Sequence, residues 1–567
     1  MNDWQLVNRK IVAKAIAELS YEQILKPDER GALRLASGVS YSFQSWTTTW
    51  DFLRIDETTL LRSPHREIAA DQFYLDIRSE LNVSDITFAN FLEELHRTLY
   101  SDLQTLERQR NYQDQTWLDL DEGVLQSLLD GHPKALVNKG RIGWSTSDLE
   151  QYSPESGSTF KLHWLAVQKD HIELSLAPDL DVQALLQMTM TTNSLSEFQR
   201  SIGEDIFKDF HLIPVHPWQW NEVIPFHYQR ELRDGSIRYL GVHGDFYRPQ
   251  TSLRTLSNAE DVSKLQIKLP VSILNTSCVR GIEGKYILLA PTLTKIMKDL
   301  CSSDPRLSRV QVLGDEAGAF VKHPTFHTID EAPYRYKEFL GAVWRESPGG
   351  FVKSDEKCLL TAALFHKGFL ASIIARSDLS TEAWLTRYFE IIVLPLYHLQ
   401  LKYGVGLVAH GQNIMIGLKG FQPDKLYLKD FQGDLRLLNQ DLPEMMAFDE
   451  KTKAQLTRLP APYLIHDLYT GHFVTVLRFV SATLQEDTGF SEKQFYRLLN
   501  QTIQDYHAKI PEYQDRIKAL GLLQKYVPRV IVNKVRFHIG YGDNALRPIP
   551  MTGTDLLNPL YEGSHDS

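Results

Sequence analysis

The sequence predicts an α+β protein built of several packed lobes, and three observations predict it. The chain has 567 residues, which at roughly 150 residues per folding unit gives about three or four units. Apolar residues recur at helical spacing near the start and again beyond residue 380, whereas short apolar segments broken by Gly, Pro and Asn fill the middle. No internal repeat and no low-complexity linker separates these stretches, so packed lobes suit the sequence better than independent beads.

The elements follow in order. Trp4, Val7, Ile11 and Ala15, with Val12, Ile16 and Leu19, mark an opening amphipathic helix, ended by a polar stretch containing Pro27, Asp28, Gly31 and Gly38. Residues 40–60, rich in Tyr, Phe, Trp and Thr, read as strands. From Phe73 to Leu106 the helical pattern returns, with Phe88, Phe91, Leu92, Leu95 and Leu99 on one side. Residues 1–125 thus form an N-terminal α+β unit and residues 126–375 a central unit of strands and loops. Residues 376–567 form a C-terminal unit. There Ser380-Thr381-Glu382 starts a helix, and Pro395 is expected to kink or end it. Short strands occupy 404–435, and helices dominate from about 455.

Hydrophobic residues at 43%, aromatics at 11% and charged residues at 23% exclude disorder, collagen-like repeats and a small disulfide scaffold. Lys plus Arg is 61 against 71 for Asp plus Glu, a net charge of −10. Neither nucleic acid nor an anionic membrane is the expected partner of such a chain, and a local gathering of cations stands out against it. Cys278, Cys301 and Cys358 make an odd count without CxxC spacing, which points to a reducing compartment and away from structural zinc. The opening Met1-Asn2-Asp3-Trp4-Gln5 lacks an apolar signal core. The longest apolar run, Ile391 to Leu396, contains Pro395 and falls short of the ~20 residues of a membrane span. A cytoplasmic location is expected.

Three groups of residues carry chemistry. The first is Gly131-His132-Pro133 followed by Asn138-Lys139-Gly140-Arg141-Ile142-Gly143. Two cations flanked by glycines suit a turn that approaches an anion; an exposed loop with ordinary surface charges fits as well. The second runs from Gln266 to Arg280, where Lys268 and Arg280 bracket an apolar run ending in Asn275-Thr276-Ser277, with Ser252-Leu253-Arg254-Thr255 upstream. A lysine point charge and an arginine fork fit phosphate plus carboxylate, although strand-end charges on a hairpin read the same way. The third is Ala409-His410-Gly411-Gln412-Asn413 with Lys429-Asp430-Phe431-Gln432-Gly433-Asp434. Two strand-like runs, 414–418 and 425–428, form a hairpin that returns Asp430 beside Asn413. Such oxygen ligands hold Mg²⁺ against nucleotide phosphates, as an Asn and an Asp do in protein kinases. The other reading makes Asn413 a turn cap and His410 a satisfied core histidine.

His216, between Pro214 and Pro217 and beside Trp218 and Trp220, reads as a loop brace. Neither His466-Asp467 nor His472 has a Cys or Glu at metal-ligand spacing. No GxSxG and no P-loop lysine motif is present, so a serine hydrolase and a P-loop ATPase find no support.

Together these motifs resemble the IucA/IucC family of NRPS-independent siderophore synthetases, almost from end to end. The match includes Trp4 to Arg9, Gly131-His132-Pro133-Lys134 with Asn138 to Arg141, Leu162 to Val167, and His216 to Trp220. It continues through Lys268-Leu269-Pro270, Asn275-Thr276-Ser277, the third group, and Tyr463 to Asp467. The resemblance, strongest to the IucC branch, implies a hand of thumb (1–125), fingers (126–375) and a FhuF-like, distantly kinase-like palm (376–567). It implies Mg-ATP activation of a citryl or succinyl hydroxamate carboxylate to an acyl-adenylate. An amine such as that of N6-acetyl-N6-hydroxylysine then displaces AMP, giving an aerobactin-type product. A macrocyclising dihydroxamate synthetase, a kinase-like phosphotransferase and a non-enzymatic ferric-siderophore binder are the alternatives.

In that family Lys268, Arg280 and His410 would be catalytic. Ser252, Lys268, Thr276, Arg280, Gln412, Asn413 and Asp430 would bind ATP, with Asn413 and Asp430 on Mg²⁺. Arg254, Arg280, Thr276, His410, His132, Lys139 and Arg141 would bind substrate. The family also implies a homodimer. Two positions depart from the pattern: Ala135-Leu136 stand where many relatives carry a second His-Pro, and Val408 stands where others carry Glu.

Overall fold

In a computed structural model, the described residues are 1–112, 117–276, 278–540 and 551–561. Helix accounts for 47% and strand for 22%, the mixed content expected. The opening helix, Asp3–Tyr21, is closed by a capping box in which the Asn2 side chain accepts from Gln5 N–H and Gln5 returns a bond to Asn2 N–H. Three-residue strands follow between Ala32 and Ser63. The helical stretch after Phe73 is broken. Asn82 takes a left-handed conformation, φ +48°, and Ser84 caps a new helix at Asp85–Asn111.

The centre is an eight-stranded antiparallel sheet. Its order is Glu173–Leu176, Asp315–Phe320, Gly341–Arg345, Gln266–Lys268, Thr255–Asn258, Ile237–Pro249, Phe160–Gln168 and Phe210–Val215. Helix Gly284–Ser303 covers it, and the approach is close: a Cβ added at Gly318 would lie 2.2 Å from the Ile287 carbonyl oxygen. Only glycine fits there.

A second sheet of four strands has the order Val310–Val312, Gln422–Leu428, Ile414–Lys419 and Glu356–Leu360. Its first strand runs parallel to the second. Leu313 N–H still donates to Leu428 O at 2.8 Å, and the chain then enters the eight-stranded sheet at Asp315. That crossing fixes one end of the large sheet against the end of the Gln422–Leu428 strand.

One apolar core joins distant parts of the chain. Tyr21, Trp50 and Phe52 pack with Leu293 and Met297 and with much of the chain after Leu359. A second core lies on the large sheet, and a third under the opening helix takes in Phe537. Buried Glu18 accepts from both Lys134 and Arg478, so three distant segments share one charge network.

Pro395 does not end its helix. The turn before it widens into a π-helix at Phe389–Val393, and Pro395 lies in the first turn of Leu394–Tyr403, where no backbone N–H is required of it. Among the described residues, no helix is long and apolar enough to cross a membrane.

Candidate active site

Neighbouring strands set the first part of the site. In the sheet, Gln266 pairs with Arg345, which in turn pairs with Asp315, and Lys268 pairs with Thr255 and Val343. Lys268 lies opposite Val343, two residues from Arg345, so these antiparallel strands place the two cations on one face of the sheet, and both are buried. Unpaired, two buried cations are costly. Here Lys268 Nζ lies 2.5 Å and Arg345 Nη2 3.1 Å from the same Asp430 oxygen, Oδ1. Arg345 Nε donates to Asp315 Oδ1 at 2.7 Å, and Gln432 Nε2 holds the other Asp315 oxygen at 3.2 Å. No described residue hydrogen-bonds Asp430 Oδ2.

Burial pushes the Asp430 carboxyl up, but Arg345 and Lys268 overcome it and hold the group well below the usual carboxylate range. Burial also draws the Lys268 ammonium down, against the pull of Asp430. Asp430 occupies the left-handed region at φ +72°, as do Arg141, Leu253 and Thr276 at +41°, +70° and +48°. Such backbone persists only where surrounding contacts over-determine it, and it gathers at functional sites.

The hairpin of the third group forms as expected, with Ile414 opposite Leu428. Asn413 Nδ2 donates to Asp434 Oδ2 at 3.0 Å and to Val408 O at 3.2 Å, which brings a second carboxylate beside Asn413. The turn is tight: Asn413 N–H donates to His410 O, and Gln412 N–H to His410 Nδ1. Burial keeps the His410 imidazole below its ordinary value, while Asp434 and Asp430 oppose.

In the second group, Arg280 Nη2 contacts Thr276 Oγ1, and its Nε is sealed without a partner. Arg254 donates to Gly281 O, and Ser252 Oγ accepts from Thr255 N–H at 3.3 Å. Ser277 lies outside the described residues.

Lys139 and Arg141 stand differently. Lys139 Nζ binds Asp102 at 2.7 Å and Thr105 at 2.8 Å, and the Arg141 guanidinium meets Glu155 with both terminal nitrogens. All this charge is matched inside the protein. The segment docks on the second group, since Ile142 bridges Leu274. His132, whose imidazole burial pushes down to about 3, meets His410 and Gln412 in a small cavity of about 20 Å³.

Sequence reasoning missed Arg345 and Asp315, and it gave Asp434, inside the third group, no role. Arg345 carried a signal, because Gly341-Ala342-Val343-Trp344-Arg345 is an apolar run bordered by a cation, as the run between Lys268 and Arg280 is.

The site lies where two families of sequence meet. The IucA / IucC family matches residues 124–366, which hold Lys268, Arg280 and Arg345. The family described as ferric iron reductase FhuF-like transporter matches residues 382–544, which hold His410 through Asp434. Aerobactin synthase of Escherichia coli is 39% identical over 99% of this chain and 98% of its own length. The chain belongs to the IucA/IucC family. Within it, the structure of aerobactin synthetase IucC from a hypervirulent Klebsiella pneumoniae is similar to this one at a TM-score of 0.87, with 37% identity over 99% of this chain and 98% of that one. ATP-bound aerobactin synthetase IucA from the same pathotype shares the fold at a TM-score of 0.81, with 18% identity over 97% and 99%.

Proposed function

We propose that this IucA/IucC protein is an ATP-dependent siderophore synthetase. It adenylates a carboxylate of a citryl (or succinyl) hydroxamate and joins it to the amine of a hydroxamate such as N6-acetyl-N6-hydroxylysine, releasing AMP and pyrophosphate. One observation carries the reading: Lys268 and Arg345 converge on Asp430 where the central sheet meets the hairpin, with Asn413 and Asp434 alongside. Full-length similarity to aerobactin synthases supports the siderophore class.

The residues fit the ligands. Arg280, with a sealed and unpartnered Nε, Lys268 and Arg345 supply the positive charge that a polyphosphate beside a carboxylate requires. Ser252 and Thr276 add hydroxyls, and Arg254 and His132 border the acyl side. Asp430, through its unused Oδ2, and Asn413 with Asp434 offer oxygen donors that suit Mg²⁺. When bound, Mg²⁺ neutralises phosphate charge and orients the α-phosphate. The chain's own part is to hold the carboxylate in line with that phosphate, where placement supplies much of the acceleration. Lys268 and Arg280 stabilise charge that develops at phosphorus, and His410 donates to the acyl or phosphate oxygen. Lys139 and Arg141, matched by Asp102 and Glu155, shape the wall beside Thr276.

The same reading assigns a thumb, fingers and kinase-like palm closing on one cleft, a cytoplasmic homodimer, and no membrane or nucleic-acid partner. Its test is to incubate the protein with ATP, Mg²⁺ and either a citryl-hydroxamate plus N6-acetyl-N6-hydroxylysine or succinyl-hydroxycadaverine, then to identify products by mass spectrometry. AMP, pyrophosphate and a linear amide are expected. ADP without AMP would mean a phosphotransferase, and a cyclic product from succinyl-hydroxycadaverine would mean a macrocyclising relative.

A further inference from the structure

The small cavity beside His410 is lined by three imidazoles, those of His132, His366 and His410, together with Thr251, Phe365 and Gln412. These residues come from four separate stretches of chain. Ala362 N–H donates to Gly411 O at 3.2 Å, which ties the segment bearing His366 to the His410 turn.

The three rings are not equivalent. In His132, Nδ1 accepts from Ala135 N–H at 3.2 Å; in His410, Nδ1 accepts from Gln412 N–H at 3.2 Å. A nitrogen that accepts an N–H carries its lone pair there, so each neutral ring bears its proton on Nε2. Both rings are therefore hydrogen-bond donors at Nε2 and cannot take up another proton there. Neither nitrogen of His366 is hydrogen-bonded by any described residue. Its Nδ1 lies 3.9 Å from Asp130 Oδ2, and the His366 side chain is 10% exposed against 61% for Asp130. A carboxylate on the Nδ1 side favours the proton on Nδ1 and leaves the lone pair on Nε2, the arrangement an Asp imposes on a catalytic histidine.

We infer that His366 is the proton acceptor of the amide-forming half-reaction, with Asp130 as its positioning residue and the Nε2–H groups of His132 and His410 as donors to the substrate oxygens. The inference rests on the synthetase reading and deepens it. The lone pair of the amine attacks the acyl carbon of the acyl-adenylate. The bond from that carbon to the phosphate oxygen breaks, and AMP leaves with its electron pair. The extra proton on nitrogen passes to His366 Nε2 and from the ring to solvent at the open Asp130 side. Burial lowers the His366 ring, Asp130 opposes, and Lys10 and Lys139 add to the lowering. The ring is then a neutral base at neutral pH.

The test separates the half-reactions in the intact protein carrying His366→Gln or Asp130→Asn. ATP–pyrophosphate exchange with the carboxylic substrate alone reads adenylation, trapping with hydroxylamine reads delivery of the acyl group to a small uncharged nucleophile, and amide formation with the natural amine reads the whole. His366→Gln is expected to keep exchange and trapping at the wild-type level while amide formation falls ~100-fold or more, the scale of a lost general base. Its amide rate is also expected to climb with pH as the amine loses its own proton. Asp130→Asn, on an exposed side chain, guards against a folding failure and is expected to slow amide formation about tenfold and shift its pH profile. Unchanged amide formation in either variant, or exchange and amide formation falling together, would overturn the assignment. A wild-type protein without exchange would instead remove the synthetase reading itself.

Discussion

Lys268 Nζ sits 2.5 Å from Asp430 Oδ1 across 162 residues of sequence, and this contact joins the central sheet to the hairpin that carries Asn413. Arg345 shares the oxygen. With Asp315 on the other side of Arg345, two cations and two carboxylates form one charge-balanced cluster, at the point where an anionic ligand would meet a metal ion.

Lys268→Ala and Asp430→Asn are each expected to cut turnover at least ~100-fold, the scale of losing a preorganised charge contact. Lys268→Ala should melt closer to wild type than Asp430→Asn, because Asp430 keeps Arg345 as a partner whereas buried Lys268 would lose its carboxylate. Steady-state kinetics beside thermal melts checks both.

Arg345→Met is expected to act on stability as well. It strips buried Asp315 of its cation and leaves Asp430 with Lys268 alone, and breaking a buried pair from one side costs about 3–5 kcal/mol. Denaturant unfolding reads the difference.

Lys139→Met and Arg141→Met provide the contrast. Their charges are matched by Asp102 and Glu155, so the main loss should be unfolding free energy, on the order of 3 kcal/mol for each buried pair broken from one side. KM for ATP should stay near wild type in the fraction that folds.

The pH dependence of stability follows from buried histidines. Burial pushes His132 and His216 down to about 3 and His472 to about 4. Folded, they stay neutral; unfolded, each takes a proton near pH 6.5. Stability is therefore full above that pH and falls on acidification, by about 1.4 kcal/mol per pH unit for each ring once the unfolded imidazole is protonated. His216→Asn keeps an acceptor for the Trp218 N–H, which His216 Nδ1 now holds. Its unfolding free energy measured between pH 5 and 6 should show a slope smaller by about one proton.

Much of the site was legible because its residues sit at the ends of regular elements. Lys268 opens an apolar run, and Asn413 and Asp430 flank a hairpin whose length fixes its register. What pairs with what was not legible. The carboxylate beside Asn413 is Asp434, and the partners of Asp430 come from the central sheet, because the short strand Val310–Val312 carries the chain from one sheet to the other. A three-residue strand leaves too weak a pattern to announce that crossing. Lys139 and Arg141 looked free for the same reason: Asp102 lies on a helix and Glu155 in a turn that the sequence does not place beside them. The widened turn before Pro395 was hidden too, since an apolar run reads alike in either helix type.

The account turns on an acyl-adenylate formed at the Lys268–Asp430 junction. The most direct measurement supplies a citryl-hydroxamate labelled with ¹⁸O in its reacting carboxylate, with ATP, Mg²⁺ and the amine, and locates the label by mass spectrometry. One ¹⁸O in the phosphate of AMP is the predicted result. Label in inorganic phosphate with ADP formed, or no transfer to AMP while product accumulates, would contradict it.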